Sequence, residues 1–152
     1  MIRSRDITIV SVFASLYVVL GYVFHSISFL EFQVRIADAL YPLIAVYGLP
    51  ALIGTTLGHF LLNLTSPLGL IDLVSVIIFI PAKIAIWKFG LKGVILHVIS
   101  VALWISFLLC NVLGIPTETY WILVINIGLG ESLAEIGLGV PLTLAIRRRT
   151  SK

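Results

Sequence analysis

Two carboxylates four residues apart, Glu131 and Glu135, lie inside YWILVINIGLGESLAEIGLGVPLTLAI, a stretch long enough to cross a bilayer. Four residues is roughly one helical turn, so the two share a helix face. Carboxylates held away from water bind a cation, relay protons or grip a ligand rich in N–H donors. The alternative is a structural hydrogen-bond network, or a salt bridge to Arg35 or Lys83, with Lys83 the nearer partner for Glu135. Glu131 stands about eleven residues past Tyr120, roughly 16 Å along the helix and near mid-membrane. Asn126 precedes it on the same stretch.

A second group of charges lies in SISFLEFQVRIADAL. Phe29, Phe32 and Ile36 form an apolar stripe at roughly helical spacing, which turns Glu31, Arg35 and Asp38 toward water or a cavity. A static pair across one helical turn is the plainer account of Arg35 and Asp38. Their place beside two short apolar segments favours the wall or lid of an outward-facing cavity. The third polar region is HFLLNLTSPLGLID. His59 and Asn63 share a helical face, and Asp72 follows a short turn, so Asn63 and Asp72 meet near one membrane surface. His59 is either a ligand group or satisfied by a neighbouring helix. His25 and His97 have no evident partner and are read as structural.

The rest of the chain supplies the elements that must hold these groups. Of 152 residues, 60% are hydrophobic and 11% charged, and mean hydropathy is +1.16. A soluble domain carries about 25% charged residues, so this is an integral membrane protein embedded over nearly its whole length. Spans are expected at 7–27, 40–49, 51–64, 68–89, 94–113 and 120–146, within one membrane domain covering 1–152. Pro50 separates two short segments and Pro81 kinks the fourth. Short or interrupted segments suit helices that line a cavity or meet protein rather than lipid.

Charge placement tests the count. Arg3 and Arg5 precede the first span, Lys88 and Lys92 flank an interior connection, and Arg147, Arg148, Arg149 and Lys152 follow the last. Six spans put all three basic clusters on one side, the cytoplasmic one, with both termini there. Merging the short segments would part the termini. The fold class is therefore an all-α polytopic membrane protein, a compact six-transmembrane-helix bundle in the cell membrane. Gly54 and Gly58, and Ser11 and Ser15, are small pairs at four-residue spacing that allow close helix packing, inside the chain or against a coupling partner.

Absences narrow the chemistry. There is no G-x-x-x-x-G-K-[ST], H-E-x-x-H or G-x-S-x-G, and no Cys/His metal pattern. Cys110 is alone and reads as a small buried hydrophobe. No catalytic residue, metal or bound cofactor is expected on this chain.

The segments FQVRIADALYPL, GLPALIGTTLGHFLLNLTSPLGLID and GLGESLAEIGLGVPLTL resemble the signatures of the QueT family of queuosine-precursor permeases. That family is counted among the substrate-binding components of energy-coupling factor transporters. The matching positions are Gln33, Arg35, Asp38, Ala39 and Leu40, then Asn63, Gly69 and Asp72, then Gly130, Glu131, Gly139 and Pro141. Asp38 stands where the family usually has Glu, and VSVIIFIPAKIAIWKFG departs from the family's small-residue pattern.

The resemblance implies six helices that bind a small molecule from outside. It also implies a separate membrane coupling subunit and two ATPase subunits, which alone hold ATP–Mg. For a 7-deazaguanine, one carboxylate would accept from the ring N1–H and exocyclic amine as a pair, and a second would neutralise an aminomethyl ammonium. Phe32 or Tyr41 would stack on the ring. Other vitamin-like ligands, an aromatic amino acid, a self-contained proton-coupled carrier, an assembly subunit and a membrane enzyme using Glu131 and Glu135 are the competing readings.

Overall fold

A run of apolar residues can cross a bilayer as a single segment only if its backbone hydrogen bonds close within it, and the described residues of this chain do so as helices. The computed structural model describes residues 3–24 and 34–150, and every regular element among them is helical. In order these are α1 (Ser4–Val23), a 3-10 helix (Ile36–Leu43) running into α2 (Ile44–Tyr47), and α3 (Leu49–Asn63). After a short 3-10 turn (Gly69–Asp72) come α4 (Leu73–Ile78), α5 (Ile80–Phe89) and α6 (Lys92–Val112). The last run joins α7 (Tyr120–Glu131), a π-helix (Ser132–Gly139) and α8 (Val140–Thr150).

Four runs are long and apolar enough to cross a membrane: Ser4–Val23, Gly69–Phe89, Lys92–Val112 and Thr117–Arg149. Ile36–Tyr47 is a shorter apolar helix, and α3 has 15 residues. At 1.5 Å per residue α3 reaches about 22 Å, less than a hydrocarbon core of about 30 Å.

One break differs in cause from that expected. The two short segments are parted by Gly48, whose φ of 68° suits glycine, and not by Pro50. Pro50 lies in the first turn of α3, where a missing N–H costs nothing. Pro81 opens α5, and the fourth run breaks in the turn before it, at Phe79, as a proline lacking its N–H requires. Pro141 sits in the first turn of α8, directly after the π-helix. A proline there has no N–H for the preceding turn, which fits a change of helical pitch at that point.

Close approaches fix the packing. A Cβ on Gly54 would lie 2.6 Å from the Val10 carbonyl oxygen, and one on Gly58 would lie 2.6 Å from Tyr17 Cβ. Gly54 and Gly58 thus form the seam between α3 and α1. A Cβ on Gly139 would lie 2.5 Å from the Ala39 carbonyl oxygen, so the π-helix and the 3-10 helix touch backbone to side. Ser11 and Ser15, by contrast, are exposed and take no part in this packing.

One apolar cluster joins Phe13, Tyr17, Tyr41, Ile44, Leu62 and Ile86, and another joins Phe79, Val101, Ile105, Leu108, Leu123 and Ile127. Outside them the usual distribution is reversed. Val12, Leu16, Ile95, Ile99, Ile122 and Ile125 face outward, while Arg35, Asp38, Asp72, Lys83, Glu131 and Glu135 are buried. A lipid solvent selects that arrangement.

Candidate functional site

The 3-10 helix sets out the first side of the site. Side chains three residues apart eclipse in this geometry, so Arg35, at its N-cap, Asp38 and Tyr41 share one face. That face meets Tyr17 of α1. The Tyr17 hydroxyl donates to Asp38 Oδ1, and the Tyr41 hydroxyl donates to the Tyr17 oxygen at 2.8 Å. Asp38 is thereby held by a tyrosine relay rather than by solvent.

His59 of α3 is the second side. Arg35 Nη1 and Asn63 Nδ2 each lie 3.1 Å from His59 Nε2. The guanidinium nitrogen can only donate, and the Asn63 amide nitrogen also donates to the Asp72 carbonyl at 3.0 Å. His59 Nε2 is therefore the accepting nitrogen, and its Nδ1 lies 3.4 Å from Lys83 Nζ. Phe79 stacks on the His59 ring with centroids 5.8 Å apart and planes at 8°.

Asp72 caps the third side. Ser75 Oγ donates to Asp72 Oδ1 at 2.7 Å, and Trp104 Nε1 donates to Ser75 Oγ at 2.8 Å. The tryptophan of α6 thus supports a carboxylate through the serine of α4.

The π-helix closes the fourth side. Glu131 is the last residue of α7 and Glu135 falls within the π turns. Helices of this kind are rare and concentrate at functional positions. The Glu131 carboxyl lies within hydrogen-bonding reach of Asp38. Glu135 Oε1 accepts from His97 Nδ1 at 2.7 Å. The His97 ring packs 4.4 Å from that of Tyr41, and Lys83 Nζ sits 4.5 Å over the Tyr41 ring.

Buried polar atoms normally find partners, so the exceptions mark where a ligand would bind. Asn63 Oδ1, Asp72 Oδ2, Glu131 Oε2, Glu135 Oε2 and His97 Nε2 are buried with no hydrogen-bond partner. All four oxygens are acceptors when the carboxylates are ionised. Such a lining suits a ligand that presents several N–H groups.

The sequence-derived residues fare unevenly. Arg35, Asp38, Tyr41, Asn63, Asp72 and Glu131 all converge here, at 0–3% exposure. Tyr41 carries Lys83 over its ring and its hydroxyl is bonded to Tyr17, so it forms a wall of the site and not an open stacking platform. Asn126 is half-buried, outside this network. Gln33, Phe32 and Glu31 lie outside the described residues.

His97, read as structural, is hydrogen-bonded to Glu135, and Lys83, the alternative partner, also interacts electrostatically with that carboxyl. Tyr17, Lys83, Ser75 and Phe79 complete the site unannounced by any motif. A tyrosine hydroxyl and a lysine within apolar runs were the signals available, since neither is stable in lipid without a partner.

A family model described as QueT transporter matches residues 7–148. The chain belongs to the QueT transporter family. It is the substrate-binding membrane component of an energy-coupling factor transporter for a deazaguanine-type precursor, and it is not an enzyme. Components of this class work with a coupling membrane subunit and ATPase subunits. No curated protein and no solved structure matched the chain. Among the described residues no group of three or more His, Cys, Asp or Glu side chains is placed to hold a metal ion.

Proposed function

We propose that the deazaguanine ring binds between Glu131, Asp72, Asn63 and Arg35, with Glu131 as the principal acceptor for its N–H edge. The observation carrying this reading is the set of partnerless buried acceptors, Glu131 Oε2, Asp72 Oδ2 and Asn63 Oδ1, contributed by three different segments of chain. A purine-like edge with a ring N–H beside an exocyclic amine offers matching donors. Arg35 and His59 orient the acceptors, and Asp38 positions Glu131. Gln33 and Phe32 are proposed as ligand contacts on the sequence resemblance alone.

Titration calorimetry of the detergent-purified chain with a 7-deazaguanine ligand tests this. Glu131→Gln keeps the side chain's size, removes its charge and replaces one acceptor oxygen with a donor. Loss of a charge-assisted bond is worth about 1.5–3 kcal/mol, or roughly 10- to 150-fold in affinity. Unchanged affinity in a folded E131Q protein removes Glu131 from the site.

The same reading places the six helices in one membrane domain with both termini cytoplasmic, since this gives the three basic clusters a common side. The plasma membrane is its location. The exposed serines of α1, Ser11 and Ser15, form the docking face for the coupling subunit, because small side chains let two backbones come close. Two ATPase subunits then supply the energy that the chain, lacking a P-loop, cannot.

A further inference from the structure

A serine inside a helix has one hydrogen to give and an ordinary place to give it, the carbonyl four residues back. Ser100, Ser106 and Ser132 all do this, each at 2.7 Å. Ser75 does not. It lies in α4 with the Ile71 carbonyl four residues back, yet its hydroxyl donates to Asp72 Oδ1 at 2.7 Å. Asp72 departs from habit as well. It stands at the N-cap of α4, where an aspartate usually accepts a backbone N–H of the first turn, and its side chain makes no such bond. Both side chains are fully buried.

One neighbour accounts for both departures. Trp104 of α6 donates its Nε1–H to Ser75 Oγ at 2.8 Å. An indole N–H can only donate, and within an apolar span it needs an acceptor. Turning Ser75 back onto its own helix would take Oγ away from the indole. With the oxygen kept on Trp104, the single hydroxyl hydrogen is directed to Asp72. The indole is itself held in place. Its ring stacks on Phe107, with centroids 5.5 Å apart and planes at 26°, and the Tyr120 hydroxyl donates to the adjoining Leu103 carbonyl at 3.2 Å. The main chain of Asp72 is secured separately, since its carbonyl accepts from Asn63 Nδ2 at 3.0 Å. Asp72 Oδ2 is then left buried without a partner.

We infer that Trp104 is a positioning residue for ligand binding: its N–H sets the direction of the Ser75 hydroxyl, which turns Asp72 so that Oδ2 faces the ligand. Trp104 acts only through Ser75 and touches no ligand itself. The inference rests on Asp72 lining the ring site, as proposed above.

A double-mutant cycle, read by calorimetry with 7-deazaguanine, tests it. Trp104→Phe and Ser75→Ala should each weaken binding about 2- to 12-fold, the range for one neutral hydrogen bond. Both changes break the same chain of bonds, so the double variant should bind no more weakly than the weaker single one. Losses that multiply in the double variant mean that Trp104 acts by packing, and they overturn the inference. Wild-type affinity in folded W104F does the same. The indole N–H signal decides the matter even where the variants fold poorly. In heteronuclear NMR of the wild-type chain, with Trp104 assigned by elimination using Trp87→Phe and Trp121→Phe, saturating ligand should shift the Trp104 Nε1–H resonance. A resonance that stays in place sinks the positioning role. Asp72→Asn separates this role from the site itself. Unchanged affinity in D72N, or failure of 7-deazaguanine to bind the wild type, removes the ring site at Asp72 and the inference with it. Weakened binding in D72N beside independent losses in W104F and S75A removes the positioning role alone.

Discussion

Tyr17 carries no charge and belongs to no motif, yet the site depends on it. Its hydroxyl donates to Asp38 and accepts from Tyr41, so it joins α1 to the 3-10 helix at a fully buried point. Tyr17→Phe removes the oxygen from both bonds and leaves the Tyr41 hydroxyl and Asp38 Oδ1 without this partner. The expected loss is about 1–3 kcal/mol of stability, read as a lower unfolding midpoint in detergent. A fall in ligand affinity should accompany it, because Asp38 then no longer steadies Glu131. The charged members of the site could be read from sequence, since ionised groups within apolar runs are conspicuous. Tyr17 could not, because a tyrosine among Val and Leu has the composition of any apolar span. The partner of Glu135 was hidden for another reason. His97 lies 38 positions away, and only the crossing of α6 with the π-helix brings the two within 2.7 Å.

The elements that carry the site are the irregular ones. The 3-10 helix and the π-helix meet where Gly139 allows the Ala39 carbonyl to approach. Gly139→Ala forces these two apart, at a strain typical of an overfilled core, about 1–3 kcal/mol. Its effect should fall on binding, since Asp38 rides on one element and Glu135 on the other. Gly128→Ala makes a useful contrast. A Cβ there meets Ala102 Cβ at an ordinary 3.5 Å, so both stability and binding should stay close to wild type. Thermal unfolding and calorimetry on the two variants give the comparison. The existence of these segments was visible in the sequence, as charge-rich or glycine-rich stretches beside proline. Their pitch was not, because eight residues make only about two to three turns, too few for a period to be read from residue types. The glycine pair of α3 was legible as a packing motif, and the structure supplies its partner, α1.

At the scale of the molecule, two expectations concern its surroundings. Single cysteines at positions 3, 90 and 150, in a chain without Cys110, should react with an impermeant thiol reagent from one common side. Reaction from opposite sides would break the proposed six-span topology. Ser15→Leu should leave ligand affinity as it is, since the side chain faces away from the polar core. Uptake by the assembled transporter should fall, since a bulky side chain holds the coupling subunit off. Uptake at the wild-type rate would remove this face of α1 from the interface. Membrane class and the family were readable directly from hydropathy and the three signature segments. The count of crossings was harder, because Ile36–Tyr47 and Leu49–Asn63 are each shorter than an ordinary span.

Those two segments have a consequence for how the protein is made. They are separated by Gly48 alone, so no loop lets one settle before the other arrives. Between them and their caps they carry Arg35, Asp38, His59 and Asn63, all buried inside the protein. An Arg or Asp in such a segment opposes insertion, by about 2.5–3.5 kcal/mol at a helix centre and by less toward its ends, where Arg35 and Asp38 stand. The pair is therefore a poor client for the insertion machinery by itself. What receives it is α1, already synthesised, with Tyr17 to meet Asp38 and a groove into which Gly54 and Gly58 fit. Biogenesis of this chain is thus ordered from its amino terminus, and a circular permutant that delivers α1 last should integrate badly even though every residue of the finished protein is present.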